Sequence, residues 1–236
     1  MASIDGVLFD YGRTLVTFAY PTEDLLGVLR EFRARIETEL GVPAPEAETI
    51  VHDVLEPLED YVANSSEDEV EYENVYRDTW HSAGIPLSDE LLHDILDAEQ
   101  QVWDRSVRVD PDAPGVLEWL REHGIKRGIC SNAPFPPAMM RRQLTANGIA
   151  AMVDAVVFSS EVGKRKPSQV LYRAGLDALG TAAERTLFVG DRMREDYDGP
   201  TAAGMRAVIV TAHAEQRPPD GIPSIATLAE LPSLLQ

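Results

Sequence analysis

Apolar residues recur along this chain in two different rhythms. Residues 4–10 (IDGVLFD) form a short apolar run ending at a carboxylate, a pattern that predicts a buried strand terminating at Asp10. From about 22 to 105 the spacing becomes helical. Leu25, Leu26, Leu29, Phe32, Ile36 and Leu40 mark one face, and Gly41-Val42-Pro43 stops that helix. Further helices are predicted near 46–63, 67–83 and 88–105, with Gly84-Ile85-Pro86 as punctuation and no strand within the stretch.

After Pro111 helix and strand alternate. Helices are predicted near 113–123, 136–147, 167–180, 195–204 and 224–235, and strands at 125–131, 153–158, 186–190 and 206–211. Strands separated by helices of this length imply right-handed crossovers and a parallel sheet covered on both faces. The expected architecture is therefore α/β: a three-layer α/β/α Rossmann-like core, residues 1–16 and 109–236, with an all-helical cap, residues 17–108, inserted after the first strand.

Charge sharpens this division. The net charge is −19, and residues 16–108 hold 23 acidic against 6 basic side chains, while the remainder holds 17 against 15. Such a field repels nucleic acid and favours a solvated surface. The run from Glu67 to Glu73, behind Ser65-Ser66, reads as an acidic first helical turn with a serine N-cap. An apolar share of 44% and a charged share of 26% are those of a globular protein, and no apolar run reaches membrane-spanning length. The first residues lack the features of a signal peptide, and the single cysteine, Cys130, lies in an apolar run, so a cytoplasmic setting is expected with Cys130 in the core.

In open parallel sheets, ligands bind beyond the carboxyl ends of the strands. Asp10, Ser131 and Asp191 each fall at such an end. A carboxylate at a strand tip beside a metal is suited to attack phosphorus. Thr14 is placed to hydrogen-bond that carboxylate or a phosphate. Ser131 and Asn132 precede a helix, where a hydroxyl and backbone amides hold a phosphoryl oxygen. Lys166 supplies a cation to nucleophile and transferring group, and Asp10, Asp191 and Asp196 offer the oxygens that suit Mg²⁺.

The ordered set FDYGRTL, ICSNA, VGKRKP and VGDRMREDYDG resembles the four motifs of the haloacid dehalogenase superfamily, specifically the subgroup with a helical cap after the first strand. The resemblance implies Asp10 as nucleophile, Ser131 and Lys166 as phosphate ligands, and Mg²⁺ held by Asp10, Asp191, Asp196 and the main-chain carbonyl of Gly12. It implies a phosphatase of a small phosphorylated metabolite.

The sequence departs from that family at one place. Phosphatases of this kind usually carry a second aspartate where this chain has Gly12, and such a general acid contributes about 10²–10⁴-fold. Arg13 cannot release a proton near neutral pH, Tyr11 would need a strongly lowered pKa, and His52, His81 and His93 lie in the helical segment. Leaving groups that need little protonation would ease the problem. A non-catalytic phospholigand-binding protein on the same scaffold is the alternative. A Schiff-base mechanism from a cap lysine is excluded, because the only lysines are Lys126, Lys164 and Lys166. Dehalogenation is disfavoured by the intact Gly190-Asp191 and Asp196, and Tyr172, which resembles a dehalogenase tyrosine, is expected in the core.

Overall fold

The computed structural model describes residues 3–63 and 66–236. In chain order its strands are β1 (Gly6–Phe9), β2 (Val16–Thr17), β3 (Arg108–Val109), β4 (Lys126–Ser131), β5 (Ala155–Phe158), β6 (Thr186–Gly190), β7 (Arg206–Val210) and β8 (Ser224–Ile225). Six of them form one parallel sheet in the order β5-β4-β1-β6-β7-β8. The chain steps outwards from β1 to β4 and β5, then returns to the other side of β1 for β6. The switch point thus lies at β1, with Phe9 level with Ile129 on one side and Val189 on the other.

Alternation along β1 sorts its side chains to opposite faces. Val7 and Phe9 join Leu117, Leu120, Leu144, Ile129 and Val189 in one apolar cluster. Leu8 joins Cys130, Phe188, Leu171, Tyr172 and Leu179 in another. Helices at Ala113–Glu122 and Pro137–Ala146 cover the first face and the helix at Gln169–Leu179 covers the second, which makes three layers. Each fully buried Leu or Phe contributes about 1.5–3 kcal/mol.

The helical segment between β2 and β3 has an apolar cluster of its own, built on Leu25, Leu29, Ile36, Tyr76, Trp80 and Ile95. Its first helix spans Thr22–Leu40 and ends where Gly41 takes a left-handed conformation, φ 69°. Its last spans Asp89–Ser106, and the Ser88 hydroxyl accepts a hydrogen bond from the Leu91 amide at 3.3 Å as N-cap. Within the cluster Glu99 is 5% exposed; its Oε2 accepts a hydrogen bond from Tyr76 at 3.0 Å and its Oε1 has no partner. Burial pushes this carboxyl up to about 8.

Several local expectations need correction. Residues 47–63 are helical but pass through a wide π-type turn at Val51–Leu55. Pro57 lies two residues beyond it, and its missing N–H and its ring are tolerated where the ladder widens. The helix expected at 67–83 begins only at Tyr72. The acidic run before it is extended, and Asp68 forms an antiparallel bridge with Lys164. The Glu69 amide donates to the Gly163 carbonyl at 3.1 Å and the Arg165 amide to the Glu67 carbonyl at 2.8 Å. Ser65, half of the expected cap, lies outside the described residues, while the Ser66 hydroxyl accepts from the Asp68 amide.

The helix expected at 224–235 is instead the short edge strand β8, a single turn at Leu228–Glu230, and a helix at Leu231–Leu235. Ile225 is drawn into the sheet because it completes the core beside Val210. The antiparallel pair β2 and β3, two residues each, joins the chain entering and leaving the helical segment. It is too short for periodicity to register. Among the described residues no helix is long and apolar enough to cross a membrane.

Candidate active site

The order β4-β1-β6 brings together three strand ends that lie far apart in sequence. The Asp10 amide donates to the Val189 carbonyl at 2.9 Å, which fixes the chain as it leaves β1. Ser131 ends β4, and its hydroxyl donates to Asp10 Oδ1 at 2.6 Å. Lys166 Nζ donates to the same oxygen at 2.8 Å and to Asp196 Oδ1 at 2.6 Å. It also lies 5.2 Å over the ring of Phe188, a contact not anticipated from the sequence.

Asp196 is itself fixed. Its Oδ2 accepts from the amides of Asp191 at 3.0 Å and Arg192 at 2.9 Å. Gly190 makes room for this arrangement: a Cβ there would fall 2.3 Å from Asp196 Cγ. Asp191, 4% exposed, has neither carboxylate oxygen hydrogen-bonded. Ligand oxygens of Asp10, Asp191 and Asp196 lie within 4.8 Å of one another.

The electrostatics follow from this crowding. Burial disfavours the Lys166 ammonium, but Asp10 and Asp196 outweigh it and hold the lysine charged. Burial first, then the charges of Asp10 and Asp196, push Asp191 up to about 7. Three carboxylates thus crowd around one buried lysine, which pairs with Asp10 and Asp196 and leaves Asp191 without a hydrogen bond. That donor set, hard oxygens with a surplus of negative charge, fits a divalent cation such as Mg²⁺.

The other expected residues are placed differently. Asn132 turns its amide onto the backbone of Lys166. Thr14 is 1% exposed, and its hydroxyl has no hydrogen-bond partner, so it does not bond Asp10. Gly12 has an ordinary backbone conformation, and a Cβ there would meet only Phe18 Cε1, at 3.4 Å. Arg13 takes the left-handed region, φ 61°, which costs a non-glycine residue energy; its amide is held by the Val16 carbonyl at 2.6 Å and its side chain by Glu215.

No expected substitute for an acid at position 12 reaches the cluster. The Tyr11 hydroxyl donates to Gln143 Oε1 at 3.0 Å and accepts from Asn147 Nδ2 at 2.6 Å, and burial pushes its pKa up rather than down. His52 pairs with Asp53, His93 with Glu73, and His81 with the Leu87 carbonyl. His213, which sequence reading passed over, pairs with the buried Asp110 at 3.2 Å. Cys130 is buried in the core, its thiol pushed up to about 12 by burial. Tyr172 is core as expected, its hydroxyl donating to the Glu195 carbonyl at 2.6 Å.

The sequence model of haloacid dehalogenase-like hydrolases matches residues 4–204. The chain belongs to that family. Among haloacid dehalogenase-like relatives, the phosphoserine phosphatase of Thermus thermophilus is 33% identical over 115 residues, 49% of this chain and 45% of that protein. The chain therefore spans about half the length of this relative. The glyceraldehyde 3-phosphate phosphatase of Methanothermobacter thermautotrophicus is 25% identical over 219 residues, covering 93% of this chain and 91% of the relative. In fold, the chain resembles the 2-haloacid dehalogenase structure from Pseudomonas syringae pv. Tomato, with TM-score 0.72, 21% identity and 98% of each chain covered. The fold class and the hydrolase family anticipated from the motifs both hold.

Proposed function

We propose that the protein is a Mg²⁺-dependent phosphohydrolase of a small phosphorylated metabolite. The observation that carries this reading is the shared grip of Ser131 and Lys166 on Asp10 Oδ1, beside an unpartnered Asp191. Both hydrogen bonds to Asp10 fall on one oxygen, which leaves Oδ2 to attack phosphorus. The bond from phosphorus to the leaving group breaks as the aspartyl-phosphate forms. Water then cleaves that acyl phosphate, releasing phosphate and restoring the carboxylate. Lys166 and Ser131 orient the nucleophile, and Lys166 also offsets charge on the transferring group.

Asp10, Asp191, Asp196 and the Gly12 carbonyl would hold Mg²⁺, which supplies charge neutralisation to the phosphoryl oxygens. Residues 17–108 form the cap in this reading, closing over the site and excluding water. Its separate apolar cluster and the β2–β3 ladder at its base support that division. A cytoplasmic setting belongs to the same proposal, in keeping with one buried, unpaired cysteine.

A non-catalytic ligand-binding protein is the second reading. It is favoured by Gly12 and by the engagement of Tyr11 and the histidines elsewhere. Turnover of acetyl phosphate and 4-nitrophenyl phosphate with Mg²⁺, in wild type and Asp10→Asn, decides between them. Turnover lost in Asp10→Asn supports the hydrolase; equal rates in both overturn it. Thermal melts test the cation independently: Mg²⁺ raises the Tm of wild type, and Asp191→Asn removes most of that rise.

A further inference from the structure

Three aromatic rings cluster beside the chain leaving β2, and the proposed reaction gives them no role. Phe18 and Tyr20 follow directly after β2, and both are unusually open for large apolar side chains, at 47% and 42% exposure. Each meets Trp103 edge-on, at 6.0 Å and 5.2 Å between ring centroids. Phe18 reaches back to the catalytic loop, since its Cε1 is the one atom that a Cβ at Gly12 would touch. Phe18 and Tyr20 are therefore exposed rings backed by the half-buried Trp103, with Phe18 lying against Gly12, two positions after Asp10. Contiguous exposed apolar surface beside a reactive group marks a ligand contact.

The chemistry at position 12 points to the same ligand. Where an acid would protonate the departing oxygen, this chain presents glycine, and Phe18 Cε1 lies 3.4 Å from the place of its absent Cβ. A leaving group next to that ring must depart as an anion. It carries the electron pair of the broken phosphorus–oxygen bond and takes its proton later from water. This is easy for a phenol or another conjugated hydroxyl and slow for an alcohol. Planar conjugated groups are also what an aromatic wall recognises.

We propose that Phe18, Tyr20 and Trp103 form the leaving-group wall of the active site, and that the substrate is the phosphate ester of an acidic hydroxyl on a planar, conjugated group. The inference rests on the hydrolase reading of the site. Phe18 is the specificity-determining residue to test first, because its exposure lets it be truncated without opening the core.

The experiment uses the full chain with Mg²⁺ and two pairs of compounds. Calorimetry compares phenylphosphonate with methylphosphonate, neither of which can lose its organic group to hydrolysis. Kinetics compare 4-nitrophenyl phosphate with acetyl phosphate. Wild type is expected to bind phenylphosphonate about tenfold more tightly than methylphosphonate, and Phe18→Ala to bring that ratio to about one. The ratio of kcat/KM for the aryl over the acyl substrate falls about tenfold in Phe18→Ala, mainly through KM, and Phe18→Tyr restores it.

Equal affinity of wild type for the two phosphonates overturns the inference, as does an equal loss of both in Phe18→Ala. The two levels of the proposal fail separately. A phenyl preference with no phosphate hydrolysed leaves the wall standing and removes the hydrolase. Turnover that Asp10→Asn abolishes, without a phenyl preference, does the reverse.

Discussion

Asn132 brackets the backbone of Lys166 from both sides: its Oδ1 accepts from the Lys166 amide at 2.7 Å and its Nδ2 donates to the Lys166 carbonyl at 3.4 Å. The residue after β4 thus sets the position of a lysine 34 residues later in sequence. Asn132→Ala is expected to lower kcat about tenfold with a smaller change in KM, since a misplaced positioning group costs rate before affinity. Asn132→Asp should be worse, because the added charge competes with Asp10 and Asp196 for the ammonium. A loss confined to KM would instead make Asn132 a direct phosphate ligand.

Glu99 is a buried carboxyl with one oxygen unpartnered and a pKa raised from 4.5 to about 8. Between those values the folded chain holds a proton that the unfolded chain has released. Stability from this group is therefore present at low pH and declines as pH rises through about 8. Glu99→Gln is expected to flatten that decline. Urea denaturation at pH 5 should give nearly equal stabilities, and at pH 8 the variant should be more stable by roughly 1–3 kcal/mol.

The strap that ties residues 67–69 to residues 163–165 ends one residue before Lys166. Its Asp68–Lys164 ion pair is solvent-exposed and is worth less than about 1 kcal/mol by itself. Its two backbone hydrogen bonds have a more direct readout. In Asp68→Lys, repulsion from Lys164 should speed exchange of the Glu69 and Arg165 amides about tenfold. The swap Asp68→Lys with Lys164→Asp should restore protection. Unchanged exchange in the single variant would show that the backbone pairing holds without the charges.

Gly12→Asp asks what the missing acid is worth. Among the described residues outside its chain neighbours, a Cβ there would meet only Phe18 Cε1, at 3.4 Å, an ordinary contact. Hydrolysis of an alkyl phosphate such as glycerol phosphate is expected to rise by about 10²–10³, while that of 4-nitrophenyl phosphate changes little. A uniform gain on both substrates would mean that the carboxylate acts on a step other than leaving-group protonation.

Long regular elements and the strand-end residues could be read from the sequence, for a physical reason. Parallel strands buried on both faces must be nearly all apolar, so a polar residue at the end of one, such as Asp10, Ser131 or Asp191, stands out. What stayed hidden depends on partners distant along the chain. The acidic run around Asp68 is extended because Lys164 and Arg165 lie opposite, and nothing in its composition reveals that pairing. Ile225 is a strand residue because Val210 lies beside it. The place of Asn132 at a strand end was legible but its grip on the Lys166 backbone was not, and Phe18 carried no local signal. Asn132 is explained by the backbone it grips, and Phe18 by its contact with the place of the absent Gly12 side chain.

The central place of β1 has a consequence for synthesis. Its two neighbours pair it with residues 126–129 and 186–189. A chain emerging from the ribosome therefore holds its first strand with an open edge until residue 189 is out, long after residues 6–9 appear. Until then the apolar Val7-Leu8-Phe9 stretch lacks its second neighbour, and Asp10 beside it waits for Lys166, Asp191 and Asp196, all of which are made later.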